Sequence, residues 1–183
     1  MMIRTLVLAV AAASVGSTAF AQSTSQAGPL PVTGDVPAVC AAGAVSGGDN
    51  VFAVGILIDT TTGFLRNDLS APSKTLAASF CNARSTISIT ATPMTAQSAT
   101  GAAPTGFTNA VDYSASASGW TATAATTNTG SGVNAGATQT RDTAFAGDIV
   151  VSLSNFAPAG GALRPVADPE YRGAVTVTLA ATI

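Results

Sequence analysis

The run AVTVTLAATI, residues 174 to 183, places Val175, Val177, Leu179 and Ala181 on one side of an extended chain and Thr176, Thr178, Ala180 and Thr182 on the other. A period of two is the mark of a β-strand with one covered face. STISITAT repeats it at residues 85 to 92, where Ile87, Ile89 and Ala91 oppose Thr86, Ser88, Thr90 and Thr92. GDIVVSLSNF (147 to 156) alternates through Ile149, Val151 and Leu153, and FTNAVDYSASASGW sets Val111 and Tyr113 on one face. VFAVGILID (51 to 59) is continuously apolar and fits a buried strand, although a short helix has the same signature. Pro37 interrupts VTGDVPAVCAAGAV, so the first strand is an edge or one that changes sheets. TATAATTNTGSGVNAGATQT (121 to 140) is low in complexity, a weak hairpin or a mobile loop.

About seven strands with turn-rich links and no amphipathic helix after residue 21 predict an all-β fold, an immunoglobulin-like antiparallel β-sandwich. The composition agrees. Charged residues make up 9% of the chain, against about 25% in ordinary soluble domains. There is one lysine, Lys74, and no histidine, and Thr, Ser, Gly and Ala fill many of the remaining positions. The mild acidity leaves no basic footprint for nucleic acid.

The N-terminus carries Arg4, the apolar run LVLAVAAASV and an A-x-A site at Ala19 and Ala21. This is the pattern of an export signal, and the run is shorter than the roughly 20 residues a membrane span needs. The expected organisation is a cleaved signal peptide at 1–21, a flexible arm at 22–31 and a single sandwich domain at 32–183, with no membrane span after cleavage. LPVTG at residues 30 to 34 matches a sortase motif, but it lies next to the signal rather than before a C-terminal anchor, so the match is read as accidental. In an exported chain the two cysteines, Cys40 and Cys81, read as a disulfide; the rival, a metal site, has no histidine to complete it.

Catalytic patterns are missing. Without histidine there is no Ser-His-Asp triad, and there is no phosphate loop or HExxH motif. Most of the nine acids stand beside Gly, Asn, Pro or Thr, the setting of turn-making Asp. Asp142 with Asp148, or Asp168 with Glu170, could supply oxygens to calcium but have no recognised loop spacing. The expectation is therefore no enzyme, no cofactor and no metal. Trp120, the single tryptophan, reads first as closing one end of the sandwich, because large aromatics dominate small cores; the rival reading leaves it exposed as a ligand contact, stacking on a sugar ring.

Three features align: VTGDVPAVC, a second cysteine opening FCNARSTISIT, and a final strand, YRGAVTVTL, that begins with Tyr. Together they resemble pilin subunits of the chaperone–usher type, in particular the spore coat protein U-like subunits of archaic pili. The resemblance implies an exported sandwich that lacks its last strand, with a disulfide near the first strand. It implies a fimbrium or related extracellular fibre of a Gram-negative bacterium, found in the periplasm or at the cell surface and serving cell adhesion. Its partners would be a periplasmic chaperone, an usher and like subunits. Val175, Val177 and Leu179 would line the strand-acceptor groove. The arm offers a single large apolar residue before Val32, Leu30. The alternative is a self-complete secreted sandwich that binds a glycan or surface partner through Trp120 and the 121–140 loop.

Overall fold

The two clearest alternating runs are neighbours. In the computed structural model, which describes residues 28–46, 48–99 and 101–182, β4 (Ser85–Ala96) and β11 (Tyr171–Ala181) pair antiparallel. Val175 stands opposite Ala91, Val177 opposite Ile89 and Leu179 opposite Ile87. The apolar faces of the two strands therefore coincide and turn inward; a slip of one residue would expose both.

The other strands follow the same logic. β1 (Cys40–Ala41) and β2 (Ala44–Ser46) both pair with β3 (Lys74–Cys81), which pairs with β9 (Phe145–Pro158). β9 pairs with β6 (Ala110–Ser118), which also pairs with β7 (Ala125–Asn128). β4 pairs with β8 (Thr138–Arg141) at one end and meets β6 at a short corner, Met94 and Thr95 against Val111 and Ala110. β5 (Phe107–Thr108) and β10 (Arg164–Pro165) form a small parallel pair. The result is an all-β sandwich whose corner continues one layer into the other, and the strand order ends at β1 on one side and β11 on the other. The described residues from Val36 onward form one compact unit. The expected signal peptide at 1–21 and residues 22–27 of the expected arm lie outside the described residues; residues 28–31 are exposed and outside any strand.

Four sequence-based expectations are corrected or refined. The first strand is split into β1 and β2, after Pro37 rather than at it. The 121–140 stretch is neither a bare loop nor a simple hairpin, because β7 adds to β6 and β8 to β4. Residues 51–57 form neither strand nor helix; the run is apolar enough for a strand, but Gly55 has φ 83° and breaks its extended course. Trp120 is fully buried, against Phe145 in an edge-to-face contact at 5.0 Å, with its Nε1 donating to Ser85 Oγ at 3.3 Å. Burying the indole removes far more apolar surface from water than any other side chain in this small core could, which decides its place.

The split between β1 and β2 has a local cause. β3 bulges after Leu76, with Ala78 in the left-handed region at φ 57°. Gly43 lies against this bulge so closely that a Cβ would sit 1.6 Å from the Ala77 carbonyl oxygen. The Gly43 N–H donates to Ser79 Oγ at 2.9 Å, Ser79 Oγ donates to the Leu76 carbonyl at 3.1 Å, and the Ala78 N–H donates to Asp148 Oδ1 at 2.9 Å. The Cys40–Cys81 disulfide is formed and ties the first strand to β3 across a separation of 41 residues. Asn82 reinforces the same junction: its Nδ2 donates to the Pro37 carbonyl and its Oδ1 accepts from the Val39 N–H.

Two stability predictions follow from this corner. Gly43→Val must displace backbone, so it should lower unfolding free energy by roughly 2–4 kcal/mol in chemical denaturation. Replacing both cysteines by alanine should remove about 2–4 kcal/mol, read as a lower denaturation midpoint that reductant no longer changes.

Candidate functional site

Among the described residues β11 is the one long strand with a ladder on a single side. Its only ladder partner there is β4, and across a seam it meets β1 and, at Val45, β2. An edge strand presents alternate N–H and C=O groups with no partner, the arrangement that accepts another strand. Val175 and Val177 are half-buried and line a groove of about 240 Å³ in that seam. Its opposite wall is Ala42 and Val45 beside β2, with Leu76 of β3 and Val151 of β9. Of the three residues expected in the groove, Val175 and Val177 are there. Leu179 packs half-buried against the core and does not line the groove.

The groove is apolar but not sealed. Phe52 reaches it from the segment before β3, and Lys74 stands at its margin. The Lys74 side chain is 12% exposed, and its Nζ bonds both the carbonyl oxygen and Oδ1 of Asp49, each at 3.0 Å. The hydrogen bond from Lys74, and then its charge, hold the Asp49 carboxyl below its ordinary value. This pair was not legible beforehand; the one signal for it was that the chain carries a single lysine.

The inner end of the seam is held by Tyr113. It is 2% exposed on β6, and its hydroxyl crosses the core to donate to the Ala174 carbonyl of β11 at 3.0 Å. Burial pushes its pKa up to about 12. Tyr171 opens β11 and donates to the Val166 carbonyl at 2.8 Å. Burial, followed by the nearby Asp168 charge, also raises its pKa.

Every acid described beyond Asp35 has a partner within the fold. Asp168 Oδ2 accepts from the Ser98 and Ala99 N–H groups, each at 2.8 Å, and Oδ1 accepts from the Glu170 N–H at 2.9 Å. Burial raises its pKa, but these backbone donors outweigh it and leave the carboxyl below its usual value. Asp142 pairs with Arg84, Glu170 with Arg172 and Asp68 with Arg66. Asp59 accepts from the Thr61 and Thr62 N–H groups in a turn. Among the described residues no three His, Cys, Asp or Glu side chains group as metal ligands, and no helix is long and apolar enough to cross a membrane. The buried Trp120 presents no ring face for stacking on a sugar, which corrects the ligand-contact expectation.

Comparison of the chain with family models, with curated proteins and with solved structures finds no match.

The Tyr113 phenol makes an alkaline prediction. The folded state keeps its proton to about pH 12, while the unfolded chain releases it near 10, so the folded state binds more protons between the two. Stability should fall over that window by about 2–3 kcal/mol. Tyr113→Phe should cost about 1–2 kcal/mol at neutral pH through the unpaired Ala174 carbonyl. It should also flatten the decline above pH 10, leaving the part due to Tyr171; denaturation midpoints from pH 8 to 12 would show both effects.

Proposed function

We propose that the protein is a non-enzymatic structural subunit of an extracellular fibre of the pilus type, immunoglobulin-like in fold and assembling by β-strand complementation. The observation that supports this most directly is the outer edge of β11. It is eleven residues long, its ladder runs on β4 alone, and the half-buried Val175 and Val177 stand beside an apolar groove. A strand laid into the seam would satisfy backbone groups and cover these side chains together, so polar and apolar terms act in the same direction. The oxidised Cys40–Cys81 pair and the N-terminal apolar run fit export to the periplasm or beyond. In this reading a periplasmic chaperone, an usher and like subunits are the partners, because the outer edge of β11 has no ladder partner until another strand pairs with it. The alternative, a self-complete secreted domain, draws on a different observation: residues 51–58 already lie over part of the same seam.

The test uses the chain beginning at Gln22, produced in an oxidising compartment. A synthetic peptide of about a dozen residues alternating valine and threonine is added as a strand donor. The melting temperature should rise with peptide concentration, as it does for any ligand that binds the folded state alone. Hydrogen exchange at residues 174–180 should slow at the same time. Val177→Glu, which puts a charge in the groove, should abolish both responses while leaving the disulfide formed. A melt and exchange pattern that ignores the peptide at millimolar concentration would leave the self-complete domain as the answer.

A further inference from the structure

The seam beside β11 is occupied by a piece of the same chain. Asn50 and Phe52 share the groove with Val175 and Val177. Val54 lies with Tyr171 through Val175, and Ile56 and Ile58 lie with Pro165 through Tyr171. As the segment advances from 50 to 58, its neighbours recede from Val177 to Pro165, so it runs antiparallel to β11. It has the look of a strand in its side chains: Phe52, Val54 and Leu57 pack against the core, while Val51 is 59% and Ile56 67% exposed.

It is not a strand in its backbone. Among the described residues no backbone hydrogen bond joins 51–57 to β11. The backbone bond this stretch does make is at its far end, where the Leu57 carbonyl accepts from the Arg66 N–H at 2.9 Å, beside the Ile58–Leu65 bridge. At the near end Lys74 grips Asp49. The strap is therefore anchored at both ends and held in its middle by side chains alone. At Gly55 a Cβ would meet no atom within 4 Å, so the middle of the strap is held by its neighbours Val54 and Leu57.

Building on the strand-acceptor reading, we infer that residues 50–58 are an internal plug of the acceptor groove, with Phe52 as its stopper and Lys74–Asp49 as its latch, and that an incoming strand must displace it. The plug covers the apolar floor and so keeps the free subunit from exposing it. It makes no ladder with β11, so an entering strand gains backbone pairing that the plug never had, and the exchange runs toward assembly. Local segments with few backbone bonds open at low cost, which makes this strap the part of the molecule that can leave while the sandwich stays folded. The plug also states what the incoming strand must offer: a large apolar side chain at the place of Phe52 and a second apolar side chain two residues away, at the place of Val54.

The experiment measures uptake of a fluorescent version of the valine–threonine peptide by the chain from Gln22, comparing the unaltered protein with Phe52→Ala and with Asp49→Ala. The first substitution removes the stopper. The second frees the latch at a side chain that is 72% exposed, so it carries the test should Phe52→Ala fail to fold. A closed groove scales the apparent affinity by the fraction of molecules that are open, so Phe52→Ala should tighten apparent binding about tenfold and Asp49→Ala about threefold. Hydrogen exchange at residues 51–57 should accelerate to the free rate when the peptide binds to the unaltered protein. If all folded proteins take up the peptide equally, or residues 51–57 keep their exchange rate in the complex, the plug is overturned while the acceptor reading stands. If none takes it up, the acceptor reading itself has failed and the plug goes with it.

Discussion

An antiparallel sheet that does not close on itself ends in strands with one unpaired edge, and in this protein the long strand at such an end is β11. Its inner face is committed to the core by the pairing of Val175, Val177 and Leu179 against Ala91, Ile89 and Ile87. That commitment cannot be undone by a shift in register, because a one-residue slip would turn the whole set to solvent. The outer edge must then be solvated, covered or paired, and the architecture around it reflects that requirement. Tyr113 fixes the depth of β11 from within through the Ala174 carbonyl, and Tyr171 and Asp168 fix the place where it begins.

The opposite wall of the seam is built with equal economy of charge. β1 and β2 are only two and three residues long, too short to hold a position by pairing alone. The disulfide, the Asn82 bonds and the close approach of Gly43 to the β3 bulge do that work. Asp148 stabilises the left-handed turn at Ala78 by accepting its N–H, so an acid that could be read as a ligand serves the backbone. Asp59 and Asp168 do likewise. Carboxylates that accept several backbone donors have little left to offer a metal or a substrate.

Much of this was legible in the residues. Alternation at 85–92, 111–113, 149–153 and 175–179 placed four strands and the side each one buries, because the period of two is a property of the extended chain itself. The disulfide followed from two cysteines behind a sequence that reads as an export signal. Trp120 was read first as a core residue closing one end of the sandwich, with an exposed stacking role as the rival, and its place between Phe145 and Ser85 bears out the first. The 51–59 run failed as a strand because hydropathy reports burial, not pairing; a segment can bury Phe52 and Val54 without forming a ladder.

The sequence by itself determined the all-β class, the inward faces of the long strands, the cysteine pair and the lack of histidine chemistry. All of these depend on residue type or on neighbours along the chain. Only the tertiary structure decided that β11 lies at the end of the strand order, that Leu179 stands outside the groove while Val175 and Val177 line it, and that residues 50–58 lie across the seam with Lys74 holding Asp49. Those facts concern which segments meet across long separations. Such meetings are set by how two layers close around one core, a balance of burial and backbone pairing that no local pattern records.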